Sequence, residues 1–503
     1  MALALTGNDL TFDQLYSVAL DGAAAELEAS ARARMNASRA VVEHLLESDT
    51  VVYGVNTGFG KLASVQISHG QIRALQANLV RSHSCGVGPL LTEVETRAIM
   101  LLRASALAKG YSGIRPIVVD TLCAMLNRRV HPLIPSQGSV GASGDLAPLA
   151  HLAQVLIGEG KAVYQSRSMP GAEAMQLAGI EPLSLEAKEG LALLNGTQAM
   201  LALLSLAVRE ANILIDTADV AAALSLDALR GSPTAFDERI AHVRPFPGHS
   251  RTAENLIRLN HGSQIRESHR SPEQDRRVQD PYSLRCTPQV HGAVRDSLVQ
   301  VRATLEIELN SATDNPLVFA DSGEVLSGGN FHGQPLAMAA DQVAVAFATL
   351  AGISERRIEQ MTNPQISRLP AFLIREPGVN SGFMILQIAA AALVGETKAM
   401  ATPHSVDSIP TSANQEDYVS MGMSAARRLK PMARNLCNVV AIELLAACQG
   451  LDLLAPLQTG PLAMRAYDLV RSVSKVVDVD RSLAPDIDAV GRLIEGAAFQ
   501  QIL

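Results

Sequence analysis

The stretch from Gly138 to His151 contains the residues best suited to unusual chemistry, and it reads GSVGASGDLAPLAH. Its glycines recur every three residues, and Gly144 has no Cβ to block attack on a neighbouring carbonyl. If the Gly144 nitrogen closed onto the Ala142 carbonyl, and two water molecules left, one with the Ser143 hydroxyl, the product would be an imidazolone with an exocyclic methylene. Such a ring is a strong electrophile, so this triplet is a candidate electrophilic centre.

The residues that follow the triplet predict a helix that would support this chemistry. Asp145 and Pro148 suit a first helical turn, and apolar side chains recur at helical spacing as far as Ile157. The free N–H groups and positive dipole at a helix start would stabilise negative charge on the ring oxygen. A glycine-rich turn before a helix is by itself ordinary, so the chemistry depends on further motifs.

The composition indicates helices packed through small side chains. The chain has 503 residues, of which 48% are hydrophobic but only 3% aromatic, and tryptophan is absent. Alanine and leucine dominate, which favours an all-α fold over a sandwich or barrel. A net charge of -8 leaves no strongly basic face, so we expect neither nucleic acid nor a membrane as a partner, and a small molecule as the substrate.

The cysteines and the beginning of the chain predict a cytoplasmic protein. The five cysteines are scattered and form no C-x-x-C motif, which fits a reducing compartment. The first residues lack a basic region and a long apolar segment, so no secretory signal is expected. The uncharged run from Leu191 to Val208 could suggest a membrane span, but polar residues such as Asn195 interrupt it. We therefore expect a buried helix there.

The order of apolar and polar segments predicts a mostly helical chain with one hairpin and one long loop. A weak composition shift divides it into residues 1–200, which contain the Ala-Ser-Gly triplet, and residues 201–503, a helical bundle. Gly262 to Gln289 is polar and without periodicity, so we expect a long loop. Residues 314–330 suggest a hairpin that turns at Asp321-Ser322-Gly323. Helices are expected at about 12–48, 68–84, 92–109 (opened by the capping box Thr92-x-x-Glu95), 333–361, 381–401 and 412–452.

The run GSVGASGDLAPLAH resembles the signature of the ammonia-lyases and aminomutases that make 4-methylideneimidazol-5-one (MIO) from their own Ala-Ser-Gly. The resemblance extends nearly end to end, through YGVNTGFG, NSATDNPLVF, GGNFHGQP and TSANQED. It implies a fumarase/aspartase-like all-α architecture, in which an N-terminal catalytic domain with the MIO loop precedes a long central helix bundle. It also implies a homotetramer whose active sites combine residues from three subunits, and no metal or diffusible cofactor.

The resemblance assigns catalytic roles residue by residue. It implies that Ala142, Ser143 and Gly144 form MIO, that Asn195 contacts the imidazolone oxygen, and that Phe331 lies beside the ring. Tyr53, in YGVNTGFG, would be the base over the β-carbon. A phenol of ordinary pKa, about 10, is a poor base at neutral pH, so positive helix ends would have to lower the pKa of Tyr53. The ring could capture the substrate amine or accept density from the substrate ring, and both routes stay open.

A second group of residues would hold the substrate. Arg285, in QDPYSLRCTPQ, matches the arginine that binds the amino acid's carboxylate in the family, and a guanidinium fork suits that task. Gln279 and Tyr282 would line the same pocket, with Tyr282 among the catalytic residues. Without the resemblance, residues of such a polar loop would be read as solvated surface. Tyr53 and Asn195 need not come from the same subunit as Tyr282.

The side-chain pocket decides the substrate. His83, after Ser82, and Glu416 offer partners to imidazole nitrogens, whereas a buried carboxylate against a bare phenyl ring would be costly. Family members that act on histidine carry Ser-His and Glu at these places, and those acting on phenylalanine or tyrosine carry Phe-Leu or His-Leu and Gln. Met384 agrees, because plant aromatic lyases have lysine there. Tyr418 departs from the pattern, since histidine is expected at its place. The resemblance thus implies conversion of L-histidine to trans-urocanate and ammonia, the first step of histidine degradation.

Alternative functions fit the sequence less well. A tyrosine or phenylalanine ammonia-lyase, or an aminomutase, would use the same scaffold. A fumarase-like lyase lacks support, because no G-S-x-x-M-P-x-K-x-N loop is present. A noncatalytic helical scaffold would leave the loop motifs unexplained. Nucleotide binding at residues 50–61 is rejected because Val55 and Leu62 stand where a P-loop needs glycine and Ser or Thr.

Overall fold

The computed structural model describes residues 2–48, 54, 56–58, 65, 67–271, 273–275 and 277–503, and the described chain is dominated by helices. The α-helices are α1 (Phe12–Ala19), α2 (Ala29–Glu47), α3 (Ile72–His83), α4 (Glu93–Ala108), α5 (Pro116–Asn127), α6 (Leu146–Leu156), α7 (Gly171–Leu177), α8 (Glu189–Leu194), α9 (Gln198–Ala228), α10 (Glu238–His242), α11 (Pro247–Asn260), α12 (Gln264–Glu267), α13 (Tyr282–Arg285), α14 (Thr287–Leu309), α15 (Gln334–Thr362), α16 (Pro364–Ser367), α17 (Met384–Met400), α18 (Gly422–Arg427), α19 (Leu429–Leu453), α20 (Pro461–Val473) and α21 (Ala484–Glu495).

The strands are short and form small separate sheets. They are β1 (Leu3–Leu5), β2 (Ala25–Leu27), β3 (Val87–Leu90), β4 (His131–Pro132), β5 (Pro135–Gln137), β6 (Lys161–Tyr164), β7 (Arg167–Pro170), β8 (Leu317–Phe319) and β9 (Glu324–Leu326). β1 pairs with β2 in parallel, and the antiparallel sheets are β3-β5, β4-β6-β7 and β8-β9.

The chain forms two compact units, which are described separately. Unit 1 consists of Met1–Leu206, Ala303–Asp341 and Pro403–Arg427, and unit 2 of Ala207–Arg302, Gln342–Thr402 and Arg428–Leu503. The boundary expected near residue 200 stays a prediction.

Unit 1 is built around the buried helix α4. The side chain of its N-cap residue Thr92 accepts from the Glu95 N–H while the Glu95 carboxylate accepts from the Thr92 N–H, so the predicted capping box is confirmed. α4 packs against α1 and α5, and nearly every residue of α4 is buried. A second group of packed helices, α3, α6 and α8, supports the Ala-Ser-Gly triplet, which directly precedes α6.

Unit 2 is organised around α19, which packs against α17, α20 and α21. Small side chains such as Ala441 and Ala446 are fully buried in α19, as the alanine-rich composition suggests. A buried ion pair joins α15 to α19, because the Arg357 guanidinium donates to both carboxylate oxygens of Glu443 at 2.5 and 2.9 Å. The hydroxyls of Ser225 and Ser354 also donate to Glu443, so the buried carboxylate has several partners.

Most predicted elements are present, with several differences. The hairpin around Gly323 is confirmed as β8-β9. The segment Gly262 to Gln289 is not one loop, because it contains α12 and α13 and the start of α14. The last long helical stretch begins at Gly422 rather than at residue 412, and the residues expected as a helix at 12–48 form α1, β2 and α2. The apolar run from Leu191 to Val208 is broken between α8 and α9.

The apolar helices are largely buried within the fold. By length and composition, three helical stretches of the described chain could cross a membrane, namely Gln198–Ala228, Gln334–Thr362 and Gly422–Leu453. Their most apolar windows are 78%, 61% and 83% buried, so their hydrophobicity is explained mainly by packing inside the protein.

Candidate functional site

The Ala142-Ser143-Gly144 triplet forms a tight turn. Only glycine fits at the third position of this turn. Ala142 and Gly144 are bridge partners across Ser143, and Gly144 has φ +74°, in the left-handed region. A Cβ on Gly144 would lie 2.2 Å from the carbonyl oxygen of Gly196, which is far inside van der Waals contact. The Gly196 backbone is therefore in direct contact with the turn.

Asp145 connects the triplet to two helices. It is the N-cap residue of α6 rather than part of the first helical turn, and its N–H donates to Gly196 O at 2.7 Å. Its carboxylate accepts from the Met200 N–H at 2.7 Å, near the start of α9. Burial raises the pKa of the Asp145 carboxyl to about 7, against the opposing effect of the hydrogen bonds from Met200 and Ser139. Asp145 thus ties α6 and α9 together beside the triplet.

The other side of the loop is held by the segment before α18. Met421 N–H donates to Val140 O at 2.9 Å, and the Ser420 hydroxyl donates to Gly141 O at 3.3 Å. The Ser139 hydroxyl accepts from Gly141 N–H at 3.1 Å. The loop is therefore fixed by hydrogen bonds on both sides of the triplet.

Ser143 faces a cavity of about 400 Å³ in unit 1. The cavity has an apolar wall and a polar end. It is lined by Gly58, Leu75, Asn78, Leu79, Ser82, His83, Ser143, Leu146, Leu191, Leu194, Asn195, Ser412 and Glu416. Four predicted site residues besides Ser143 are therefore brought together here, namely Ser82, His83, Asn195 and Glu416.

His83 and Glu416 form the polar end of this cavity. The Nδ1 of His83 lies 2.9 Å from Leu79 O, and because a carbonyl only accepts, Nδ1 carries the proton of the neutral ring and Nε2 is left as an acceptor. Burial lowers the pKa of His83, against the raising effects of the Leu79 carbonyl and the Glu416 charge. The Ser143 hydroxyl lies 3.4 Å from Glu416 Oε1, so the carboxylate reaches the triplet itself.

A strained turn holds Glu416. Three consecutive residues before it, Ser412, Ala413 and Asn414, have φ of 51°, 52° and 66°, although none is glycine. Such conformations cost energy and are kept only where the surroundings enforce them. Here Thr411 enforces the turn, because its hydroxyl donates to Glu416 Oε2 at 2.6 Å and its backbone bridges to that of Glu416. Thr411 thereby holds Oε2 of Glu416, and Oε1 lies toward Ser143.

Asn195 occupies the break between α8 and α9. It is the C-cap residue of α8, with an extended backbone conformation, rather than a residue in the middle of a helix as expected. It is only 3% exposed, and its side-chain oxygen is buried without a hydrogen-bond partner among the described residues. An unsatisfied buried amide that lines a cavity is suited to bind a further polar group there.

The residues expected to bind the substrate carboxylate belong to unit 2. Tyr282 and Arg285 are the first and last residues of α13, and the guanidinium carbon lies 4.5 Å from the centre of the tyrosine ring. Arg285 Nε donates to Asp280 O at 3.0 Å, and Tyr282 is 70% exposed. Gln279 is exposed just before α13, and Met384, half-buried, begins α17 in the same unit.

Three further residues singled out in the sequence, Tyr53, Phe331 and Tyr418, are not among the described residues that line this cavity. Tyr53 lies outside the described residues. Phe331 is half-buried in unit 1, next to His332. The His332 ring stacks on Tyr418 at 6.2 Å between centroids, and its Nε2 lies 3.2 Å from Tyr418 O. Tyr418, at the place where histidine was expected, thus joins the segment of Glu416 to that of Phe331.

The cavity-lining residues of α3 before Ser82 were missed in the sequence, although a signal was available. Leu75, Asn78 and Leu79 precede Ser82 and His83 at helical spacings of three and four, so they share one face of α3. Once His83 was a candidate, the helical period alone could have predicted these neighbours. No group of three or more His, Cys, Asp or Glu residues that could hold a metal occurs in the part of the chain that the structure describes.

These features define a class of protein: a mainly helical lyase with an Ala-Ser-Gly turn at a helix start, facing a cavity with an apolar wall and an imidazole-carboxylate end. The model of the aromatic amino acid lyase family matches residues 10–472. The chain belongs to the aromatic amino acid lyase family, and the predicted family and enzyme class, an ammonia-lyase, are confirmed.

The chain is similar to individual relatives over nearly its whole length. The chain is 54% identical to histidine ammonia-lyase of Koribacter versatilis (strain Ellin345), over 98% of each chain. The structure of histidine ammonia-lyase from Trypanosoma cruzi is similar with a TM-score of 0.92 at 44% identity, covering 100% of this chain and 95% of that one. Tyrosine aminomutase from Streptomyces globisporus is similar with a TM-score of 0.95 at 39% identity, covering 100% and 98%. The predicted all-α lyase fold is therefore confirmed.

The contact between Gly144 and Gly196 predicts a stability difference between two alanine substitutions. Gly144 and Gly323 have nearly the same φ, +74° and +71°, but a Cβ on Gly323 would meet nothing within 4 Å. Gly323→Ala should cost only the left-handed backbone strain, about 1 kcal/mol. Gly144→Ala adds the clash and should cost about 3 kcal/mol or more. Urea unfolding of the two variants measures the difference, and equal costs would contradict the close contact.

Proposed function

We propose that this enzyme removes ammonia from L-histidine to form trans-urocanate, as the first step of histidine degradation. The observation that carries the proposal is the cavity in which Ser143 of the triplet faces both His83 and Glu416. The curated relative at 54% identity and a structural neighbour at 44% are histidine ammonia-lyases, which supports the same substrate.

The polar end of the cavity favours an imidazole over other aromatic side chains. With Nδ1 occupied by Leu79 O, neutral His83 presents Nε2 as an acceptor, and Glu416 is a second acceptor. Two acceptors call for two donors, which the imidazole ring of histidine supplies when both of its nitrogens are protonated. A phenyl ring has no donor and would leave a carboxylate unsatisfied, whereas tyrosine has a single hydroxyl. The hydrogen-bonding groups of the cavity thus suit histidine, which is the substrate named for these relatives.

The residues present fit an MIO group formed from Ala142, Ser143 and Gly144. A side chain at Gly144 would fill the space against Gly196 O, so the turn is compatible only with glycine at its third position. The unpartnered Oδ1 of Asn195 marks a buried amide, which would bind the imidazolone oxygen through its N–H₂ group after rotation of the amide. Phe331 would lie beside the ring. When formed, the ring supplies an electrophile that takes up electron density as ammonia leaves.

The remaining roles belong to side chains. In the proposal Tyr53 removes the β-proton, and Arg285 binds the substrate carboxylate with its guanidinium fork. Gln279 and Tyr282 line the carboxylate side of the same pocket, with Tyr282 close to the reacting atoms. Ser82 lines the side-chain pocket beside His83 and Glu416, and Met384 would contact the substrate's side chain.

We further propose a cytoplasmic homotetramer with active sites shared between subunits. Pairs of large apolar residues are exposed along single helix faces, namely Val299 and Ile307 on α14, Met338 and Val345 on α15, and Ile385 and Ile388 on α17. Exposed apolar stripes on long helices are typical of subunit interfaces. The described cysteines are all free thiols, as expected in a reducing compartment.

The oligomer can be tested directly on the purified protein. Light scattering should give four times the chain mass of 53.3 kDa, and Val345→Glu should shift the protein to smaller species because it places a charge on the apolar stripe of α15. Val243→Glu, at an exposed residue at the end of α10 and outside these stripes, is the matched control. A monomer of full activity would contradict the shared sites, and activity that sediments with cell membranes would contradict the cytoplasmic location.

Ser143→Ala tests the proposed electrophile. The intact mass of the wild type should fall short of the encoded mass by two water molecules, and it should release urocanate from L-histidine. Ser143→Ala should keep the encoded mass and lose activity by a factor of about 1,000 or more, because electrophilic stabilisation is removed entirely. Ser322→Ala, in the exposed hairpin turn, should behave like the wild type. A fully active enzyme of unreduced mass would contradict the proposal.

Glu416→Gln tests the choice of substrate. Its kcat/KM for L-histidine should fall by about 10- to 100-fold, because a hydrogen bond to a charged group contributes about 1.5–3 kcal/mol. Its low activity on L-phenylalanine should stay the same or rise, since no carboxylate is then left unsatisfied. Glu324→Gln, in the exposed strand β9, is the matched control. If the wild type preferred tyrosine or phenylalanine to histidine, the enzyme would instead be the corresponding aromatic lyase or an aminomutase.

A further inference from the structure

Arg103 is a buried arginine of α4, 1% exposed, that reaches the segment beside the triplet. Its Nη1 donates to the backbone carbonyl of Asn195 at 2.8 Å and to Gln198 Oε1 at 2.5 Å. Gln198 Nε2 in turn donates to the Thr313 hydroxyl at 2.8 Å. One guanidinium therefore holds both ends of the break between α8 and α9, in which Asn195 and Gly196 lie.

Gly196 is enclosed between Arg103 and the triplet. A Cβ on Gly196 would lie 2.4 Å from Arg103 Nη1 and 2.4 Å from Gln198 Oε1. On its other side the carbonyl oxygen of Gly196 would be 2.2 Å from a Cβ on Gly144, and it accepts the Asp145 N–H at 2.7 Å. There is no free space in this stack, so a displacement of the arginine would be passed on to the turn at Gly144.

Burying this guanidinium is costly, and the structure contains partial compensation. Burial lowers the pKa of Arg103 to about 10, against the raising effect of Asp314, so the side chain stays charged at neutral pH. Asp314 is itself paired with the buried Lys188 at 2.7 Å. The Nε of Arg103 has no partner among the described residues. A charge kept under these conditions indicates a task that an apolar side chain could not perform, namely donation from Nη1 to both the Asn195 carbonyl and Gln198.

We propose that Arg103 is a positioning residue that holds the Asn195–Gly196 segment in contact with Gly144 and thereby promotes closure of the Ala-Ser-Gly triplet. It also fixes the backbone from which the Asn195 amide projects into the cavity. The inference rests on the proposed function, because it concerns formation of the same MIO group.

The closure that Arg103 assists is balanced in atoms. The bond that forms joins the Gly144 nitrogen to the Ala142 carbonyl carbon. The Ala142 oxygen leaves as water with the amide protons of Gly144 and Ser143. The Ser143 hydroxyl leaves as a second water with the Cα proton of that residue. The nitrogen and carbonyl carbon must be held close together before they bond, which is the task of a rigid support.

Arg103→Lys tests this role, with Arg97→Lys as the matched control. Lysine keeps the charge, but its side chain ends one bond short of the Nη1 that donates to both Asn195 O and Gln198 Oε1. Arg97 is also buried on α4, 3% exposed, but it donates to Val18 O, Leu126 O and His131 instead of to the triplet's support. Comparing the two lysine variants separates the proposed role from the general effect of replacing a buried arginine of this helix.

The readout is the fraction of chains that lack two water molecules, measured by intact mass on soluble protein, together with kcat and KM. For Arg103→Lys this fraction should fall at least about two-fold, and kcat about 10-fold or more, the size of a lost charge-assisted hydrogen bond, with KM changed less than about three-fold. Arg97→Lys should keep the full deficit and a kcat within about two-fold of the wild type.

A full mass deficit in Arg103→Lys with the kcat of the wild type would overturn the inference, and so would an equal loss in Arg97→Lys. If Arg103→Lys yields no soluble protein, Thr313→Val replaces it, because it releases Gln198 without removing a charge. It should lower the modified fraction by a smaller amount, and a full deficit with unchanged kcat would overturn the role of Arg103. A wild type without any mass deficit would instead overturn the proposed function itself.

Discussion

The site depends on one contact between two glycines. Gly144 of the turn lies so close to Gly196, in the break between α8 and α9, that a Cβ on Gly144 would collide with the Gly196 carbonyl, and a Cβ on Gly196 would collide with Arg103 and Gln198 on the other side. Hydrogen bonds on both sides of this contact, from Asp145 to Gly196 and from Arg103 to Asn195, keep it in place. The helices of unit 1 therefore hold a turn of three residues in close contact with a second backbone segment, and the proposed closure of the triplet depends on that contact.

The cavity beside the turn separates two tasks. The apolar wall from α3, α6 and α8 can accommodate an aromatic side chain, and in the proposed function the polar end selects among such side chains. The polar end is preorganised, since the Leu79 carbonyl sets the tautomer of His83 and the Thr411 hydroxyl holds one oxygen of Glu416. The strained turn before Glu416 is stabilised by the same contacts.

Local patterns in the sequence predicted most helices, the capping box of α4 and the hairpin at Gly323, because periodicity and turn residues act over short distances. They did not reveal the break at Asn195, since the apolar run continues on both sides of it. Nor did they reveal the left-handed turn at Ser412 to Asn414, where no glycine marks the positive φ values. The partners of Arg103 come from segments far away in the chain, and such contacts have no local signature. Motif resemblance supplied the candidate site, but the support beneath the triplet became visible only in the folded chain.

The order in which the supports of the loop occur along the chain has a consequence for biosynthesis. Val140 and Gly141 are held by Met421 and Ser420, which are synthesised some 280 residues later, as unit 1 is assembled from three separate stretches of the polypeptide. A nascent chain still on the ribosome lacks these anchors until its final fifth emerges. If the triplet closes as proposed, its closure would therefore wait until the protein around it is nearly complete, and truncated chains would not carry the electrophile.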